Sequence, residues 1–548
     1  MLEQALTALK ANDMASAQLL LTQALTNPTE RHAALRLLVR LSVEQNNLLQ
    51  AIAYAECLVN EFPEKTDYYF SLSQFYLLDY QLQKNQDLWQ EFVHQRSADP
   101  NGWFQLSVAA RQNRNAELAL DALKHWYALT AEHSEFLFQQ ALICSELLRQ
   151  EAQAVALLHQ LLDIRPGYHA ALFNLGHLYE QLGDLSQATA CFQAACHSKT
   201  DDATSWARWL ELAKPSVEDL QHHQPQFELL LSAPANFAQV DLCYALGLCY
   251  DRLGLYPQAW QYYQQANQRD RQFLPAYQPE QTQQLMAWCR QRQFTHNPQI
   301  QTSSLTPIYI CGMFRSGSTL AEQILAASGQ VACGGELEFL HRQLFSLIGQ
   351  PQALLKRAAE PEFLKEYLKQ VEPILHGRQY FTDKRPENFL YLDVVFQHFP
   401  AAKVIWTRRQ LADNALSVYF HRLGPGMSYA TSLDSIVHYE HQQQALMQHW
   451  QQLYPGRIFA LDYDELVQQP ERVLTTLFDF LGLRYNDEAE HFYLQKHAVK
   501  TASVSQVRRP LYQHSSGRYL NYQEDILQSG MFPVYCQLLS SLAADHRE

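Results

Sequence analysis

The chain has 548 residues, more than one ordinary hydrophobic core organises, so two or three domains are expected. A hydrophobic content of 47% excludes a disordered polymer, and a formal net charge of −14 excludes a general nucleic-acid binder. Any anionic ligand must therefore be met by a local cluster of cations.

The opening stretch MLEQALTALKANDMASAQLL is amphipathic and carries acids. It has no basic start, apolar run or small-residue cleavage site, so no signal peptide is expected. No segment approaches the roughly 18 apolar residues of a membrane span. The ten cysteines form no C-x-x-C pair and have no zinc-finger spacing with histidine. They read as buried thiols of a reducing compartment, and a cytoplasmic location is expected.

The first half repeats itself. In residues 170–195, Leu172, Leu175, Gly176 and Tyr179 mark one helix, and Ala188, Phe192 and Ala195 a second. Residues 243–266 place Leu246, Gly247, Tyr250, Ala259, Tyr263 and Ala266 at the same offsets. Weaker copies run through Trp103, Leu106 and Ala119, then through Phe138, Ala141, Ala154 and Pro166, and an earlier one ends at Ala51 and Pro63. Ala119, Ala154 and Ala188 are 35 and 34 residues apart. The pattern resembles the tetratricopeptide repeat, whose period is about 34 residues. Small residues let paired helices approach, and each pair leaves an apolar face that the next pair covers. An all-α solenoid over 1–270 is expected, either taking a peptide or protein in its groove or serving as a spacer or dimerisation arm. Residues 271–304 break the pattern and read as a linker holding a helix near 281–294.

From Pro307 strands alternate with helices. PIYICG (307–312) precedes a helix at 318–328, VIWTRR (404–409) one at 411–421, and IFALDY (458–463) one at 470–481. This predicts an α/β domain over 305–548 with a parallel sheet, whose ligands bind at the carboxyl ends of the strands. Arg315, Arg409 and Tyr463 stand at those ends.

CGMFRSGST (311–319) has the glycine spacing of a phosphate loop, Gly312 and Gly317, with Ser318 where such a loop carries lysine. Ser316, Gly317, Ser318 and Thr319 offer amides and hydroxyls to an anion at a helix start. Without the lysine that reaches the outer phosphates, transfer of a terminal phosphoryl group is disfavoured. Arg315 is placed to grip an oxygen of a transferring group. Arg409 and Ser417, eight residues apart, form a candidate second phosphate pocket. The pair His438/His441 reads as a polar helix face, and no metal is expected.

Taken together, FRSGSTL, CGGE, TDKRPENF, RRQLADNALS and DYDELVQQPE resemble the sulfotransferases that use 3′-phosphoadenosine-5′-phosphosulfate (PAPS), nearest to the tyrosylprotein sulfotransferase branch. The resemblance covers about residues 305–525. It implies that Arg315 to Thr319 bind the 5′-phosphosulfate, that Arg409 and Ser417 bind the 3′-phosphate, and that Tyr463 lies near the adenine. It implies a catalytic glutamate at Glu336, 21 residues after Arg315, and a lysine for the bridging oxygen at Lys384. It also implies that the tail closes over the nucleotide through Ser503 and Arg518. Two positions depart from that branch: Gly335 replaces a second acid, and His421 replaces a phosphate-binding arginine, with Arg422 adjacent.

The expected activity is sulfuryl transfer from PAPS to a hydroxyl, foremost a protein or peptide tyrosine. A sugar, lipid or small phenol is the alternative acceptor, and Glu338 is the competing base. Two further readings remain: a Mg-ATP-dependent kinase with Asp462 on magnesium, and a non-catalytic repeat scaffold.

Overall fold

The computed structural model describes residues 1–11, 13–45, 47–292, 302–494, 510–511 and 515–528. The chain forms two compact units, Met1–Leu178 and Tyr179–Glu548. No helix among the described residues is long and apolar enough to cross a membrane.

The first unit is helical throughout its described elements. Several of its helices begin where side chains cap them. Asp99 accepts from the Asn101 amide at 2.9 Å ahead of Pro100, and Asn115 from Leu118 at 3.2 Å. The repeat alanines Ala51, Ala119 and Ala154 are completely buried. Gly102 shows why the seams need small residues: a Cβ there would stand 2.5 Å from the Phe92 ring. Between Pro28–Glu44 and Thr66–Leu78 lies a pocket of about 460 Å³, lined by His32, Arg36, Lys65, Asp67 and Tyr68 among others.

The second unit starts with the remaining repeats. A Cβ on Gly247 would lie 2.7 Å from the Tyr263 ring, so the glycine sets the spacing of Phe237–Arg252 against Tyr256–Asp270. The helix Pro279–Gln291 follows, within the stretch that reads as a linker. Its Met286 and Cys289 are fully buried in the core under the sheet. Just after it, Arg292 meets Asp393 at 2.7 Å in a pair buried on both sides.

The sheet has five parallel strands in the order β2-β3-β1-β4-β5: β1 Thr306–Gly312, β2 Val331–Ala332, β3 Tyr380–Asp383, β4 Lys403–Arg408 and β5 Ile458–Asp462. Three of these are expected from sequence. β2 and β3 are not, because two and four residues are too short to show a period. Alternate residues of β1 serve two cores: Tyr309 and Cys311 face one, Ile308 and Ile310 the other. Both sheet faces are thus covered by helices. All five strands point the same way, so every candidate site loop leaves from one edge, beside the point where the order reverses around β1.

Candidate active site

The loop after β1 is built by strain and close approach. Gly312 has φ +152° and packs so tightly on Thr407 of β4 that a Cβ would strike its carbonyl. Gly317 has φ +100°, and a Cβ there would lie 2.9 Å from the Tyr463 ring. Arg315 between them is itself left-handed at φ +67°. Ser316 is buried, and its hydroxyl is spent on the loop: it donates to the Met313 carbonyl at 2.6 Å and pairs with Thr407 Oγ1 at 2.7 Å. Asn414 Nδ2 braces the same loop through the Phe314 carbonyl at 3.1 Å. Gly317 then caps the helix Ser318–Ala327, whose buried Ser318 and Thr319 form its first turn, where amides lack intrahelical acceptors.

The residues of the two candidate anion pockets, separated in the sequence, approach one another here. Arg315 Nε lies 3.4 Å from Ser417 Oγ, and Arg409 Nη1 lies 3.4 Å from the Arg315 carbonyl. The Arg409 guanidinium sits 4.9 Å above the Tyr463 ring, so Tyr463 supports both the loop and Arg409. Arg409 also donates to the Ser515 carbonyl of the C-terminal segment. That segment is strapped across the ends of β4 and β5. Asp413 accepts from Gly517 N at 2.5 Å and Tyr519 N at 2.8 Å, and Asp464 accepts from Gln410 N at 2.8 Å and from the Ser516 hydroxyl. Arg518, expected at the nucleotide, pairs with Asp251 of the last repeat at 2.7 Å and lies over the Phe420 ring. Ser503 lies outside the described residues.

The catalytic candidates meet on the other side of β1. Lys384 follows β3, is only 1% exposed in its side chain, and contacts Glu336 Oε1 at 2.5 Å. Glu336 itself is 39% exposed, reachable from solvent. A residue without a sequence signal of function holds this pair: Glu322, deep in the helix Ser318–Ala327. Its Oε1 accepts from the Gly335 amide at 2.9 Å and the Thr382 hydroxyl at 2.7 Å. Burial raises its carboxyl from the usual range, and Lys384 pulls it back. The Gly335 carbonyl in turn accepts from the Lys384 amide at 2.8 Å. Gly335 has φ +67° with open space around a Cβ, so backbone conformation, not crowding, favours glycine where the resembling branch has an acid. The only cue to Glu322 in sequence is a carboxylate among STLAEQIL, a helix buried on all sides.

Asp462, the magnesium candidate, accepts from Glu465 N at 2.9 Å and caps the helix Tyr463–Gln468. Among the described residues, no three His, Cys, Asp or Glu side chains converge as a metal group.

The family model described as "Sulfotransferase family" matches residues 307–487, and two tetratricopeptide-repeat models match 149–208 and 240–273. An uncharacterised protein of Aquifex aeolicus is 35% identical over 252 residues, 41% of this chain and 33% of that protein, so the chain spans one third of this relative. Protein-tyrosine sulfotransferase 1 of Danio rerio is 25% identical over 242 residues, 41% of this chain and 66% of its own length. Among solved structures, the sulfotransferase domain of the Synechococcus PCC 7002 olefin synthase is 19% identical. It covers 42% of this chain and 91% of its own, with a TM-score of 0.32. A tight glycine loop at the reversal point of a parallel sheet, within a segment that one family model matches, makes residues 307–487 a sulfotransferase-family domain, carried behind tetratricopeptide repeats.

Proposed function

We propose that the protein transfers a sulfuryl group from PAPS to an acceptor hydroxyl, with a peptide tyrosine as the acceptor and the repeats as the recruiting surface. The observation that supports this is the approach of Arg315 to Ser417 and of Arg409 to the Arg315 carbonyl, with the Lys384–Glu336 pair after β3 at the same edge of the sheet. Such an arrangement suits a nucleotide with phosphates at both ends of its ribose. Arg315 and the amides of Gly317 to Thr319 take the 5′-phosphosulfate, Arg409 and Ser417 the 3′-phosphate, and Tyr463 the adenine side. The tyrosine acceptor is supported by relatives named protein-tyrosine sulfotransferases, one of Danio rerio and a putative one of Caenorhabditis briggsae.

In the reaction, Glu336 takes the acceptor proton while the acceptor oxygen attacks sulfur. The bond from sulfur to the bridging phosphate oxygen breaks, and adenosine 3′,5′-bisphosphate leaves with the electron pair. Phenol and carboxyl pKa values differ by roughly six units, so full prior deprotonation would cost about 8 kcal/mol. Proton removal therefore accompanies S–O bond formation. Arg315 and Lys384 meet the charge that grows on the bridging oxygen. A small-molecule hydroxyl is the second reading, favoured by Gly335 where the tyrosine-modifying enzymes carry an acid.

The test is a thermal-shift series followed by transfer from radiolabelled PAPS into cell extract. Stabilisation by adenosine 3′,5′-bisphosphate without magnesium, and label on tyrosine, are expected. Preference for Mg-ATP would replace this reading with a kinase, and label on a sugar or lipid would replace the acceptor.

A further inference from the structure

One acid of the last repeat finds its partner far along the chain. In the helix His169–Leu182, Glu180 lies four residues after Gly176 and pairs with Arg208 of the next helix but one, Ala203–Ala213. Asp251 lies four residues after Gly247, at the same offset in the helix Phe237–Arg252. Its arginine is Arg518 of the C-terminal segment, 267 residues on, with Nη2 2.7 Å from Oδ2 and Nε 3.3 Å from Oδ1. Tyr522 donates its hydroxyl to the same carboxylate. The Tyr522 ring is fully buried against Tyr256, Trp260 and Phe420. The turn Arg518–Tyr522 is thus tied to the repeats by two side chains that share one acid.

The start of this segment serves the loops of the sheet. Asp413 holds the Gly517 and Tyr519 amides, and Asp464 the Ser516 hydroxyl. Three residues before Arg518, the Ser515 carbonyl accepts from Arg409 Nη2, while Arg409 Nη1 reaches the Arg315 carbonyl at 3.4 Å. Both terminal nitrogens of Arg409 are therefore turned to backbone. Its Nε is buried and makes no hydrogen bond with any described residue. A guanidinium is planar, so fixing its two ends fixes where Nε points. A buried donor without a protein partner is completed by an acceptor from outside the chain.

We infer that Asp251 is a positioning residue of the nucleotide site: through Arg518 and Tyr522 it holds the C-terminal turn, the turn keeps Ser515 on Arg409, and Arg409 thereby presents Nε to a phosphate. This rests on the nucleotide reading above. In this arrangement Arg518 acts on the segment, from behind the site, and not on the ligand.

Isothermal titration of adenosine 3′,5′-bisphosphate into the full chain tests it. Asp251→Asn should weaken binding about tenfold, the loss expected of a charge-assisted contact. Tyr522→Phe keeps the ring in its aromatic site and should weaken binding by less, which keeps the test open if Asp251→Asn does not fold. Asp241 serves Arg422 instead, at 3.2 Å. Asp241→Asn should leave affinity unchanged, even where urea unfolding shows an equal loss of stability. In an Arg518→Gln/Tyr522→Phe background, Asp251→Asn should cost nothing further. Transfer from PAPS by Asp251→Asn should return to the wild-type rate at saturating PAPS, a rise in KM without a fall in kcat.

Unchanged affinity in both Asp251→Asn and Tyr522→Phe sinks this inference and leaves the nucleotide reading standing. So does an equal loss in Asp241→Asn, a full further loss in the double background, or a rate that stays low at saturating PAPS. No binding by the wild type sinks the nucleotide reading with it.

Discussion

Glu336 and Lys384 touch at 2.5 Å, but their surroundings differ: the lysine is enclosed and the glutamate reaches solvent. Removing one partner leaves either a buried ammonium or an unpositioned base. Glu336→Gln keeps the shape and removes the proton acceptor, so turnover should fall by about 10²–10⁴ with nucleotide affinity intact. Lys384→Ala should cost about 10²–10³ in turnover. Both are read from initial rates with separate nucleotide titrations. Glu322 touches neither substrate in this scheme and acts by holding Gly335. Glu322→Ala should lower kcat by about 10²-fold with KM for PAPS nearly unchanged, while Glu322→Gln, which keeps an accepting oxygen, should recover most of the loss. Equal losses in both variants would mean that the negative charge beside Lys384 matters, not the hydrogen bonds.

Asp383, next to Lys384, gives a pH signature. It accepts from Tyr367 at 2.9 Å and from Asn388 at 2.8 Å, and burial pushes its carboxyl up to about 7 from 3.8. The folded chain keeps this proton longer than the unfolded one does. The contribution is therefore fully present below the unfolded value and lost as pH rises through about 7. Denaturation midpoints should decline over that window for this reason, and Asp383→Asn should flatten the decline.

At the scale of elements, the helix Pro279–Gln291 carries more than a connection. The Arg292–Asp393 pair just beyond it is almost wholly enclosed, and Arg292 Nη2 also donates to the Leu390 carbonyl at 2.5 Å. Breaking one side of such a pair strands a charge. Arg292→Ala should cost about 3–5 kcal/mol in urea unfolding, and more than the double variant with Asp393→Asn once the coupling is removed. This stretch reads as a linker because polar residues interrupt its period. Its three inward residues, Thr282, Met286 and Cys289, are too sparse to announce a core helix in a sequence window. The strands divide the same way: β1, β4 and β5 have apolar runs, whereas β3 is four residues, YFTD, and exists by pairing with β1.

At the scale of the whole second unit, the last repeat and the sulfotransferase-family domain share one core. Trp260 and Tyr263 pack with Leu416, Tyr419 and Phe420, and the Tyr263 and Phe420 rings stack at 3.8 Å. Asn267 donates to the Tyr419 carbonyl at 2.9 Å. The helix that carries Ser417 is therefore seated partly on repeat helices. A fragment starting at 305 should expose this surface, bind a hydrophobic dye and lose the nucleotide-induced thermal shift. A fragment starting at Gly183 should keep both its compactness and the shift. Retention of the shift by the shorter fragment would show that the repeats do not support the pocket. In the first unit, Arg36 and Lys65 line the pocket together with Asp67, and under the proposed recruiting role these two cations would meet an acidic segment of the acceptor. Reversing both charges should raise KM for a protein acceptor severalfold and leave KM for PAPS unchanged.

Local spacing was enough to reveal the repeats, the tight loop after β1 and the parallel α/β order, because each is written in residues a few positions apart: glycines in a turn, alanines at a helix seam, apolar runs before helices. The approach of Arg315 to Ser417, the diversion of Arg422 to Asp241 and Asp270, and the clamp of Glu322 on Gly335 join residues 102, 181, 152 and 13 positions apart. Such partners are selected by packing of whole helices and strands against each other. A linear pattern carries no record of which buried charge will find which acceptor.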